Sequence, residues 1–178
     1  MFLTTHAAVG MLISQHTGSP LGTLGWSFAS HFVLDFIPHG DEELYHDEEW
    51  KIGHRYRRVA IINGIDVACL LILTLWVVNN ANVPAMNLMV VGILGSILPD
   101  FLEYLFPIIH QRFSWLRLIR WVYAITKPTG LRYLVRAQNW IHHLLHHKII
   151  RSDVPFAVGL IVQIVIIGVV LGFALRPA

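Results

Sequence analysis

His31, Asp35, His39 and Asp41 put two imidazoles and two carboxylates into one short run that is otherwise apolar, Ser30-His31-Phe32-Val33-Leu34-Asp35-Phe36-Ile37-Pro38-His39-Gly40-Asp41. His31 and Asp35 are four residues apart, so a helix carries them on one face. Pro38 ends such a helix, because a proline excludes the residue before it from helical backbone angles. His39 and Asp41 follow at the break. In apolar surroundings an imidazole or a carboxylate has to be paired, neutralised or bound to a metal. Histidine and carboxylate are common metal ligands. The stretch therefore reads either as part of a metal site or as a helix end whose polar groups leave a membrane for water.

Other residues of the same chemistry lie at helical spacings elsewhere. His6 stands near the start of the chain, and Asp100 and Glu103 are i, i+3 at the end of an apolar run. In His142-His143-Leu144-Leu145-His146-His147, the pairs His142/His146 and His143/His147 are i, i+4, and His143/His146 are i, i+3. Any one of these pairs can grip a single ion from one face of a helix, as the two histidines of an HExxH motif do. Four cannot all point at one site, and we take His143 and His146 as the pair; the alternative is a pH-sensitive interfacial patch. Asp66 interrupts an apolar run and is read either as a ligand or as a buried hydrogen-bonding group toward a neighbouring helix. His16, His46, His54 and His110 are isolated in turns or loops and are read as surface residues.

The elements that must position these groups belong to a membrane protein. Of 178 residues, 55% are hydrophobic and only 13% are charged, against about a quarter charged in a soluble domain. A single cysteine, Cys69, excludes an intrachain disulfide and a CxxC metal motif. There is no basic n-region of a cleaved signal peptide, no nucleotide-binding loop, and no nucleic-acid partner is expected. The pattern predicts one all-α domain over 1–178, a polytopic membrane helix bundle. About five membrane-embedded helices are expected at 2–16, 21–37, 59–78, 85–106 and 154–174. The first two form a tight hairpin across the turn at Gly18-Ser19-Pro20 and sit near the lower limit of about 17 residues for a span. Residues 40–58 read as a polar, self-paired loop. Residues 112–147 alternate basic and aromatic residues and read as amphipathic helices in the membrane interface, where lipid is the partner.

Lysine and arginine give an orientation. Twelve of the thirteen lie between Lys51 and Arg151, in the stretches 51–58 and 112–151; two spans separate these stretches, so they share a face, and the positive-inside rule makes it cytoplasmic. On this topology His6, His31, Asp35, His39, Asp66, Asp100, Glu103 and the histidine cluster arrive at one level of that face from five segments. Ionisable residues inside a membrane mark functional sites. The expected metal ligands are His6, His31, Asp35, His39, Asp100, His143 and His146, with Glu103 or Asp41 as general base. Zinc suits mixed histidine and carboxylate ligands, as do manganese or iron where oxygen dominates, and the candidates suffice for one or two ions.

In order along the chain, Thr5-His6 with Gly10, Ser30-His31 with Asp35 and Pro38-His39, Gly95-Ser96-Ile97-Leu98-Pro99-Asp100, and a late histidine-rich helix before the last span resemble the bacterial membrane-bound metal-dependent hydrolase-like proteins. These are small integral membrane proteins distantly similar to zinc-dependent phospholipase C. The resemblance implies a helical bundle in the bacterial inner membrane, a divalent metal site and hydrolysis of a phosphoester or lipid. It points to His6, His31, Asp35, Asp100 and one or two of His142 to His147. Where that family typically places a second acid-and-histidine pair after Leu-Pro-Asp, Glu103 stands here with no adjacent histidine. The alternatives to a hydrolase are a divalent-metal or proton transporter or sensor, and a membrane protein with a purely structural metal site.

Overall fold

The computed structural model describes residues 1–40, 52–80, 85–102, 116, 117, 120, 121, 124, 131–144 and 154–175. All regular structure among the described residues is helical: α1 (Leu3–His16), α2 (Pro20–Asp35), α3 (Ile52–Asn80), α4 (Met86–Asp100), α5 (Leu131–Leu144) and α6 (Phe156–Ala174). The predicted segments 2–16, 21–37 and 154–174 start and stop close to α1, α2 and α6, and 85–106 starts close to α4. The third begins earlier than expected, since Ile52 to Arg58 are helical and not loop. Lysine and arginine are good helix formers and no proline interrupts this stretch, so the basic flank simply extends the apolar helix.

Length sorts these helices into two groups. Ala60–Asn80 within α3, 21 residues, and α6, 19 residues, are long and apolar enough to cross a membrane. At 1.5 Å per residue, α1, α2 and α4 reach only about 20 to 24 Å, short of a hydrocarbon core of about 30 Å. The expected count of about five is thus met by two helices of spanning length among the described residues, with residues 103–106 of the predicted 85–106 segment lying outside them. The two long helices turn most of their apolar side chains outward: Ile61, Ile65, Leu71, Ile72 and Leu75 on α3 and Ile161, Ile164, Val165 and Val169 on α6 are exposed. Their inward stripes carry Asp66 and Val77, and Gln163, Val170 and Ala174.

The short helices pack on one another, α1 the most buried of them, while α2 turns Leu21, Trp26 and Val33 outward and α4 turns Val90 and Leu94 outward. Ser19 caps α2 by accepting the Gly22 N–H at 3.1 Å, and Pro20 occupies its first turn, where a missing N–H costs nothing. The chain therefore reverses tightly between α1 and α2. Helix α4 then packs against both arms of this hairpin, antiparallel to α1 and parallel to α2. Glycine makes this possible: a Cβ on Gly10 would collide with the Gly92 carbonyl, and one on Gly92 with the Gly10 carbonyl. Gly95 lies less closely against α2, where its Cβ would stand 3.1 Å from the Leu24 carbonyl. Such small-residue crossings let helix backbones touch where no water drives side chains together. Ala7, Met11, Val77 and Met89 fill the core beyond the crossing, with Leu70, Ile93 and Leu171 around them. After α2, Gly40 takes a positive φ of 70°, a conformation glycine adopts without steric cost, and the chain lies against the start of α6, where a Cβ on Gly159 would meet the His39 carbonyl.

Gly10→Ala and Gly92→Ala are each expected to lower the thermal unfolding midpoint of the purified protein, at a cost of about 1–3 kcal/mol typical of overpacking. Gly168→Ala, whose Cβ meets nothing within 4 Å, is expected to leave it unchanged in the same scans.

Candidate metal centre

Helix α1 starts with no side-chain cap of its own, so its first N–H groups need partners from elsewhere. Asp66 of α3 accepts the Leu3 N–H at 2.7 Å, the Thr4 N–H at 3.1 Å and the Thr4 hydroxyl at 2.6 Å. Gln163 of α6 accepts the Phe2 N–H at 2.8 Å and the Thr5 hydroxyl at 3.2 Å. A carboxylate at a helix N-terminus also meets the positive end of the helix dipole. Asp66 lies six residues beyond Ala60, and Gln163 seven beyond Phe156. At 1.5 Å per residue both are about 10 Å inside the ends of the two long apolar helices, so α1 begins at that depth. Of the two readings of Asp66, the geometry is that of the hydrogen-bonding group.

His6 sits one turn into α1, His31 and Asp35 occupy the last turns of α2, and Asp100 is the final residue of α4. Three helix ends therefore meet. The imidazoles of His6 and His31 stack with centroids 4.0 Å apart and planes at 20°. Asp35 lies at their edge, with Oδ2 3.0 Å from His31 Nε2 and Oδ1 3.3 Å from His6 Nε2. The Met1 amino nitrogen is 3.5 Å from the same Oδ1. Asp100 Oδ1 is 3.6 Å from His31 Nε2. His6, His31 and Asp35 are buried, and Asp100 keeps 18% exposure on one side. One donor atom each from His6, His31 and Asp100 falls within 4.8 Å of the others, a group that can hold a metal ion.

The protonation of His31 follows from its surroundings. Its Nδ1 is 2.8 Å from the Ser96 carbonyl on α4. A carbonyl only accepts, so Nδ1 carries the hydrogen and donates it. In the neutral ring Nε2 then holds a lone pair, which faces oxygens of both Asp35 and Asp100. Lone pairs converging in this way repel unless a cation, a proton or a metal ion, lies among them. His6 makes the same demand. Both of its ring nitrogens are buried and, among the described residues, neither has a hydrogen-bond partner, the approach to Asp35 being poorly aligned for one. An unmet buried polar atom costs about 1–3 kcal/mol. The three donors of the group, two imidazoles and the Asp100 carboxylate, are of the kinds that divalent ions take, and the Ser96 carbonyl supplies the outer hydrogen bond that commonly orients a ligating histidine. The residues fit a metal.

The remaining candidates separate. His39 is buried, but its Nδ1 is 2.8 Å from the Ile37 carbonyl, and it is not part of the group. His143 lies on α5, and its side chain is outside the described residues, as are Asp41, Glu103 and His146. Gln163 and Ser96 carry structural roles that the sequence reading did not assign. The only signal for Gln163 was a lone amide in an otherwise apolar helix, and Ser96 acts through its backbone, which no side-chain pattern reports. Comparison with models of known protein families, with curated proteins and with solved structures gives no match.

Purified protein reloaded with zinc is expected to hold about one ion per chain by mass spectrometry, and a His31→Ala, Asp35→Ala double variant none. Asp66→Ala is expected to lose about 0.5–2 kcal/mol of stability, the range for a lost helix cap, while still loading with metal.

Proposed function

We propose that the chain is an integral membrane, metal-dependent hydrolase that acts on a phosphoester or lipid substrate at the cytoplasmic face of a bacterial membrane. The observation that carries this reading is the convergence of His6, His31 and Asp100, whose donor atoms lie within 4.8 Å of one another, with Asp100 18% exposed beside the two buried histidines. His6, His31, Asp35 and Asp100 would hold the ion. When bound, zinc brings the pKa of its water toward about 7 and polarises a phosphoryl oxygen. The chain's own residues do the rest: Ser96 holds the His31 tautomer, the stacked His6 ring limits rotation of His31, and Asp100 is the ligand on the accessible side. Hydrolysis would add the water oxygen at phosphorus, break the ester P–O bond and return the proton to the leaving alcohol. A base for the water is sought in Glu103 or Asp41, the two carboxylates nearest in sequence to Asp100 and His39. The start of α1 about 10 Å inside the apolar helices by helical rise, one turn before His6, supports a substrate that resides in the membrane.

A structural role for the metal has an observation of its own, since the four ligands come from three different helices and would staple their ends. The two readings divide experimentally. Zinc-loaded wild-type protein in detergent is expected to release product from a phosphodiester or a phospholipid, and Asp100→Ala to reduce that release at least about 100-fold, the scale of losing a metal ligand or its support. No turnover on either substrate class, with a metal-dependent rise in thermal stability, would leave the staple.

A further inference from the structure

Helix α5 touches the rim of the centre through Gln138. This side chain is buried, and its Nε2 donates to the Pro99 carbonyl at 3.3 Å, one residue before Asp100. The outer side of α5 is different. Tyr133, Arg136, Ala137, Trp140 and Ile141 are all exposed, and their spacing of i, i+3, i+4, i+7 and i+8 places them on one face. Tyr133 and Trp140 are 71% and 65% exposed. Two aromatic rings and an isoleucine flank an arginine there, on the side away from the anchor.

The chain around α5 carries charge of one sign. From residue 104 to residue 152 there are eight lysines and arginines and no aspartate or glutamate. Arg117 and Arg120 are exposed, beside exposed Leu116 and Trp121. No group within this segment can neutralise it, so what covers the face must bring negative charge and also accept aromatic and aliphatic side chains. An anionic bilayer surface offers both along the whole of a 14-residue helix, since tyrosine and tryptophan settle at the headgroup boundary and each basic residue near an anionic leaflet gains about 1 kcal/mol.

We propose that α5 lies in the headgroup layer of an anionic leaflet, with Tyr133, Trp140 and Ile141 turned toward the acyl chains and Arg136 toward lipid phosphate. Gln138 on the opposite side ties this membrane-facing helix to the end of α4. The assignment rests on the exposed face and the charge of the segment, and it stands whether or not the centre hydrolyses anything.

The test uses the full chain with Cys69→Ser and Ala137→Cys, a nitroxide on the new thiol, reconstituted in lipid nanodiscs. Collision rates with oxygen, which concentrates among acyl chains, and with a water-soluble nickel chelate report the depth of the label. In discs containing phosphatidylglycerol, oxygen collisions are expected to dominate. In pure phosphatidylcholine, or with Arg136→Gln added, the balance is expected to move toward nickel. A label equally aqueous in both lipids overturns the proposal. So does a label shielded from both reagents, which would mean protein cover, or one equally deep in both lipids, which would remove the role of anionic charge. Unchanged zinc content of the labelled protein checks that the label has not disturbed the fold.

Discussion

A carboxylate in apolar surroundings persists only where positive charge or hydrogen-bond donors meet it, and Asp35 is where this protein faces that constraint. Its two oxygens lie against the imidazoles of His6 and His31. Parting α1 from α2 would take the His6 imidazole from this buried carboxylate, and parting α4 from α2 would take the Ser96 carbonyl from His31. The glycine crossing of α1 and α4 and the close approach of Gly95 to α2 are what allow three backbones to converge on so small a volume. The fold of the interior is organised around one local electrostatic requirement.

The long helices serve this interior more than they resemble it. They provide an apolar exterior, and each lends a single polar side chain, Asp66 or Gln163, to the first turn of α1. A helix that begins inside a membrane would otherwise expose bare N–H groups to hydrocarbon, which cannot solvate them. Those two side chains set the depth at which α1 begins and, one turn later, the position of His6. The long helices in this way fix the level of the centre without contributing a ligand to the group seen.

Much of this was legible in the sequence, for identifiable reasons. His31 and Asp35 at i, i+4 before Pro38 specify a shared helical face and a stop, and the structure keeps both. The convergence of His6, His31, Asp35 and Asp100 followed from topology alone, because turn signals and apolar runs are local features. What was not legible depends on contacts between distant segments. Asp66 as a cap for α1 is invisible to any local pattern, since its partners are backbone groups some sixty residues away. The number of spans is not given by composition: among the described residues two helices are long and apolar enough to cross a membrane, while α1, α2 and α4 are apolar but shorter. His39 has the right residue type and is buried, yet it lies outside the group formed by His6, His31 and Asp100.

The contact of Gly10 with Gly92 lies one turn from His6 and two turns from Asp100. With no side chain between the backbones, α1 and α4 cannot slide or rock at that point without a clash or a void. The gap between the imidazole of one helix and the carboxylate of the other is accordingly set by the crossing and not by the ion. Proteins that must choose among first-row ions cannot rely on intrinsic affinity, which favours copper over zinc, iron and manganese whatever the protein. A donor cage whose width is fixed by backbone contact discriminates instead by ionic radius and preferred coordination angle. Two glycines that carry no donor atom would then govern which element such a group could accept.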